Sequence, residues 1–151
     1  MKAYLDTTVV TLFLFGQQRH PERYAEVKLL FDALDTGRLQ AVVSIYALQE
    51  LTSYCYATFP ADCAPQVTRL ALHELLGHEL LVVPLLTRTE RIVLSRRFPT
   101  RDPSDQVHAA TAHREGCEAI VTYDQHYQDI ADLFACLTAA ETLEKLSRSV
   151  T

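Results

Sequence analysis

The chain has 151 residues and a formal net charge of −5, with 48 % hydrophobic and 22 % charged residues. That balance excludes intrinsic disorder, and four Gly with six Pro exclude a collagen-like or low-complexity architecture. The acidic surplus excludes a uniformly basic coat, so any nucleic-acid contact must come from a local patch, and no apolar run approaches the roughly 20 residues of a membrane span.

No repeat or linker divides the sequence, and one domain over residues 1–151 is expected. Lys2–Leu5 reads as a short strand, and Thr7 to about Phe15 as a helix. Pro21 opens a second helix, in which Tyr24, Val27, Leu30 and Leu34 recur at spacings of three and four, and Gly37 ends it. Leu39–Val43 has the unbroken apolar character of a strand buried on both faces. Ser44 can cap a helix from Ile45 to about Phe59, and a further helix, Ala64 to Leu76, stops at Gly77.

Leu80–Val83 is expected to be another buried strand, closed by Pro84. Helices follow at Thr87–Arg97 and Asp102–Glu115, then a strand at Ala119–Thr122, a short one near Ala135–Leu137, and a last helix from about Ala139. Strands that alternate with helices imply right-handed crossovers and a mainly parallel sheet covered by helices on both faces. Ligands of such sheets bind beyond the carboxyl ends of the strands.

Acids stand at those ends. Asp6 follows the first strand directly, and Asp124 lies two residues after Ala119–Thr122. Glu50 sits in the first two turns of the helix after the second strand, and Asp102 and Asp105 open the helix that feeds the strand before Asp124. Parallel strands deliver these carboxylates to one rim, where mutual repulsion raises their pKa values unless a cation sits among them. An oxygen-only set suits a hard ion such as Mg²⁺ or Mn²⁺, and phosphodiester hydrolysis is the matching chemistry. Asp102 and Asp105 equally fit an N-cap and an acid placed against the helix dipole, in Asp102-Pro103-Ser104-Asp105. Asp6 before Thr7-Thr8 also fits a cap, and Asp124 fits a turn residue.

With these residues in place, the sequence resembles the PIN-domain family, in particular VapC-like toxin ribonucleases, over nearly its whole length. Tyr4-Leu5-Asp6-Thr7-Thr8-Val9-Val10 is similar to the family's first motif, and Ala47-Leu48-Gln49-Glu50-Leu51 to the second. Arg101-Asp102-Pro103-Ser104-Asp105 with His108-Ala109-Ala110-Thr111-Ala112 is similar to the third, and Ile120-Val121-Thr122-Tyr123-Asp124-Gln125-His126-Tyr127 to the fourth. Gln106 and Ser104 depart from the residue types common there, without removing an acid. The resemblance implies a three-layer α/β/α sandwich with a mainly parallel central sheet, Mg²⁺- or Mn²⁺-dependent cleavage of RNA, a small antitoxin partner that places an Arg in the acidic site, and a homodimer.

On that reading Asp6, Glu50, Asp105 and Asp124 hold metal, with Asp102 auxiliary, and Thr7 and Thr122 orient carboxylates or water. Activated water attacking phosphorus leaves 5′-phosphate and 3′-hydroxyl ends. Five of the fourteen Lys and Arg lie between Arg88 and Arg101, and Arg96, Arg97 and Arg101 are the candidate phosphate contacts. His108 is expected to pack or hydrogen-bond on its helix, and His73, His78 and Cys63 do not make a zinc site. Tyr46, Tyr54, Tyr56, Phe59, Leu70 and Leu72 exceed what a short helical hairpin needs to bury and suggest a partner groove. Cys55, Cys63, Cys117 and Cys136 form no C-x-x-C pair, and with no secretory signal they point to reduced thiols in the cytoplasm. Two other readings remain: a catalytically weak PIN-like scaffold, and a phospho-acceptor domain, which would need a lysine after a late strand.

Overall fold

The computed structural model describes residues 1–148, so 149–151 of the expected domain lie outside the described residues. The elements run β1 (Lys2–Leu5), α1 (Thr7–Phe15), α2 (Pro21–Asp35), β2 (Gln40–Ser44), α3 (Ile45–Thr58), α4 (Ala64–Leu76) and β3 (Leu80–Val83). They continue with α5 (Arg88–Ser95), α6 (Pro103–Arg114), β4 (Ala119–Val121), a 3₁₀ segment (Gln125–Ile130), β5 (Cys136–Leu137) and α7 (Ala139–Arg148). The strands form one sheet in the order β3-β2-β1-β4-β5, and every neighbouring pair is parallel.

Residue alternation along the strands creates two cores. Ala3 and Leu5 of β1, Ala41 and Val43 of β2 and Val121 of β4 face one way, against α1, α2, α3, α4 and α7. Tyr4, Val42 and Ile120 face the other way, against Ala109, Ala110 and Ala112 of α6 and Tyr127 and Ile130 of the 3₁₀ segment. The small residues of α6 let it lie close on the sheet. The result is a three-layer α/β/α arrangement.

Local signals explain where elements start and stop. Thr7, Thr8, Val9, Val10 and Thr11 are β-branched and poor helix formers. They form a helix because Asp6 caps it and because Val9, Val10 and Leu12 are buried. Gly37 and Gly116 end α2 and α6 at φ of 72° and 65°, which a side chain would strain. Their neighbours Arg38 and Cys117 bond back to Ala33 and Ala112, so both turns are closed by backbone hydrogen bonds.

One strand departs from expectation. Leu80–Val83 is not buried on both faces: Leu81 and Val82 are 41 % and 38 % exposed. An apolar run signals a strand but not its place in the sheet, and β3 is at the edge.

Candidate active site

The chain winds outward from β1 through β2 to β3, then returns to place β4 on the other side of β1. The carboxyl ends of β1 and β4 therefore flank the point where strand order reverses, the usual ligand crevice of an open α/β sheet. Asp6 emerges there. Its backbone N–H donates to Val121 O at 3.0 Å, which ties the end of β1 to the end of β4.

The buried Asp6 carboxylate is held by several donors. Oδ2 accepts from the Thr8 hydroxyl at 2.6 Å, the Thr122 hydroxyl at 2.9 Å and the Thr8 N–H at 3.3 Å. Oδ1 accepts from Tyr127 OH at 3.2 Å. The two threonines are fixed in turn, because the Tyr123 N–H donates to Thr8 Oγ1 and the Asp124 N–H to Thr122 Oγ1. Asp6 is thus both the cap of α1 and a carboxylate with one enforced orientation.

Glu50 reaches the same cleft from α3. Its Oε2 accepts from the Thr7 hydroxyl and from His108 Nε2, the latter at 2.8 Å. His108 Nδ1 lies 2.7 Å from Tyr4 OH, which is 2.6 Å from Ser44 Oγ, itself the acceptor of the Ala47 N–H. With Nε2 donating to Glu50, a neutral ring takes the Tyr4 proton at Nδ1, while a charged ring donates at both nitrogens. Burial pulls the His108 pKa down, but the Glu50 hydrogen bond and the charges of Asp6, Glu50 and Asp105 outweigh it, and the net shift is upward. For Glu50, burial works upward, and the His108 and Thr7 contacts bring the pKa below the usual carboxylate value.

Asp105 differs from both. Burial first, and then the charges of Asp124, Asp102 and Asp6, push its pKa up to about 7. Its Oδ2 is the one buried side-chain polar atom without a hydrogen-bond partner among the described residues. Asp102 caps α6 by accepting from the Ser104 N–H at 2.8 Å and the Ser104 hydroxyl at 3.0 Å, and these bonds hold its pKa low. Asp124 caps the 3₁₀ segment through the His126 N–H. Asp102, Asp105 and His126 each offer a ligand atom within 4.8 Å of one another. Asp6, Thr7, Thr8, Glu50, Asp102, Asp105, His108 and Asp124 all line one cleft of about 340 Å³. An orphaned carboxylate oxygen in a set of hard oxygen donors is what a divalent cation would satisfy.

The sequence matches the PIN domain family over residues 2–126. The chain belongs to the PIN domain family. No curated protein sequence matches it. Among solved structures, it is similar to VapBC2 from Rickettsia felis bound to a promoter DNA fragment, with a TM-score of 0.63 and 16 % identity over 91 % of this chain and 98 % of that one. It is also similar to VapC20 of Mycobacterium tuberculosis, a sarcin-ricin loop cleaving toxin, with a TM-score of 0.64 and 14 % identity over 88 % and 96 % of the two chains. FitAcB from Neisseria gonorrhoeae gives 0.58 and 18 % over 91 % and 98 %. These likenesses establish the PIN fold.

Within this PIN fold, all five expected acids reach the cleft, and Thr7 and Thr122 bond Glu50 and Asp6 as supporting hydroxyls. Thr8, Tyr127 and Tyr4 were not among the expected site residues. His108 and His126 stand nearest the acids in the sequence, with packing or hydrogen bonding favoured over an acid–base role for His108, and the fold brings His108 to Glu50 and His126 to Asp105 and Asp124. Thr8 had a local signal, since it stands two residues past a capping Asp; Tyr4, His108 and Tyr127 meet their partners only through the fold. The arginines lie apart. Arg101 pairs with Asp129 at 3.5 Å, Arg97 donates to His113 Nε2 at 3.1 Å, and Arg96 borders a surface depression with Arg91, Pro103 and Gln106. Of the apolar residues of α3, its C-cap Phe59 and α4, Tyr54 and Phe59 pack on Phe15 and Tyr46 packs on His108, whereas Tyr56 and Leu70 stay exposed.

Proposed function

We propose that this PIN-domain chain is a metal-dependent endoribonuclease and the toxin of a toxin–antitoxin pair. The observation that carries the reading is the buried Asp105 Oδ2, which accepts no hydrogen bond among the described residues, has only His126 Nδ1 at 3.9 Å, and is set among Asp6, Asp102 and Asp124. Its similarity in fold to a sarcin-ricin loop cleaving toxin and to VapBC assemblies supports the same conclusion.

Asp6, Asp105, Asp124 and Glu50 would hold Mg²⁺ or Mn²⁺, with Asp102 as an auxiliary acid. When bound, the ion supplies activation of the attacking water and screening of phosphoryl charge. The protein supplies orientation. Thr8, Thr122 and Tyr127 fix the Asp6 carboxylate, and His108 with Thr7 keeps Glu50 ionised and aimed. Burial and the neighbouring acids raise the Asp105 pKa to about 7, and a bound cation would favour its ionised form. Arg96, Arg97 and Arg101 are candidate phosphate contacts at the approach to α6. A small antitoxin and a second copy of the chain are the proposed protein partners.

Among the described residues no helix is long and apolar enough to cross a membrane. Cys55, Cys63, Cys117 and Cys136 are free thiols, which fits the cytoplasm we propose. The test is cleavage of tRNA, rRNA and mRNA in Mg²⁺ with and without chelator. The expected result is cleavage that chelator stops and that Asp105→Asn abolishes with the circular dichroism spectrum unchanged. Cleavage indifferent to both would overturn the reading.

A further inference from the structure

Thr8 belongs to two adjoining depressions. On one side is the acidic cleft; on the other is a pocket of about 250 Å³ lined by Phe15, Arg19, His20, Arg23, Tyr54 and Tyr123. The pocket has no carboxylate in its wall and the cleft has no Lys or Arg, so the sign of charge reverses across one residue. Arg19 and Arg23 are exposed and form no ion pair among the described residues. The Arg23 guanidinium lies 5.1 Å from the centre of the Tyr123 ring, while Tyr123 OH donates to Glu26 at 2.8 Å. Phe15 and Tyr54 stack at 5.7 Å, which presents a second aromatic surface.

Cations with aromatic faces are the combination that binds single-stranded nucleic acid, because guanidinium takes the phosphate and a ring takes the base whatever its identity. A polyanion threading an acidic cleft also needs cations for the phosphates next to the reacting one. We propose that the Arg19–Arg23–Tyr54–Tyr123 pocket holds a nucleotide of the RNA strand adjacent to the one at the acidic cleft. This rests on the nuclease reading above. The small volume and two guanidiniums outside any ion pair among the described residues fit one base and its phosphate better than a folded peptide segment.

The test uses the full chain carrying Asp105→Asn, in Mg²⁺, with a short fluorescein-labelled single-stranded oligoribonucleotide of mixed sequence, followed by fluorescence anisotropy at several salt concentrations. Adding R19A and R23A should weaken binding about tenfold at low salt and flatten the log–log salt slope by about 0.7, the value for one phosphate contact on a single strand. R19K with R23K should restore the slope. Tyr54→Leu should weaken binding with the slope kept, and Tyr54→Phe should leave both unchanged. Unchanged affinity and slope in the R19A/R23A protein would sink the pocket. So would retained RNA affinity together with loss of a protein partner. Cleavage by the unmutated chain is scored separately: arginine-dependent binding without metal-dependent cleavage would overturn the nuclease reading alone, and intact cleavage with arginine-independent binding would overturn the pocket alone.

Discussion

Asp105 sits in a protonation state that depends on what else occupies the cleft. Burial and three neighbouring acids raise its pKa from 3.8 to about 7, so the folded protein binds a proton there more tightly than the unfolded chain does. Stability from this group is therefore complete below pH 3.8 and is lost as pH rises through about 7. Urea denaturation of the metal-free protein should show stability falling across that window. Asp105→Asn should flatten the fall, and Mn²⁺ should reverse it in the unmutated protein but not in the variant. A profile that rises towards pH 7 and is unmoved by Asp105→Asn would contradict the assignment. Asp105 was legible in the sequence as an acid opening the helix before the Asp124 strand, but its lack of a hydrogen-bond donor was not, because that depends on which donors the fold leaves out of reach. His108 shows the same limit from the other side. Its ring spans Tyr4 and Glu50, 104 and 58 residues away, and nothing near His108 in the chain encodes either contact.

At the level of elements, every acid in the cleft except Glu50, which comes from the second turn of α3, is placed by a helix start or lies just inside one. Asp6, Asp102 and Asp124 each accept a backbone N–H two residues on, while Asp105 is in the first turn of α6. The carboxylates are thus positioned by backbone geometry that exists whether or not an ion is present, and the positive end of each helix dipole partly offsets their charge. Capping and metal binding need not compete, and Asp102 allows them to be separated. Asp102→Asn keeps the cap and removes the charge, so it should retain stability while lowering Mn²⁺ affinity. Asp102→Ala should lower Mn²⁺ affinity as well and cost about 1 kcal/mol in stability. Calorimetric Mn²⁺ titration and urea melts of the two variants read the terms independently; equal Mn²⁺ affinity in Asp102→Asn and the unmutated chain would make Asp102 a cap alone. These starts were readable in the sequence because a cap is a local feature. The position of β3 was not, since burial of a strand depends on where later strands insert.

For the whole molecule, the sheet edge at β3 and the helix after it carry a run of exposed apolar side chains. Leu81 and Val82 lie on the strand, Leu85 follows, and Ile92 and Val93 on α5 are 49 % and 58 % exposed. Ile92 and Val93 on α5 offer an apolar candidate surface for the proposed homodimer. Ile92→Glu with Val93→Glu should shift the chain to monomer in analytical ultracentrifugation without loss of helicity, and an unchanged dimer would direct attention to Tyr56 and Leu70 instead. The layered architecture was legible from the alternation of apolar runs and capped helices, because each signal is local and they agree. The pairing of β1 with β4 has a different consequence. Ala3 lies opposite Ala119, and Thr122 bonds Asp6 across 116 residues of sequence. During translation, a nascent chain emerging without β4 has neither Thr122 nor Asp124 to finish the cleft. The cleft is therefore assembled only once residue 124 has been made, however early β1 and its Asp6 emerge.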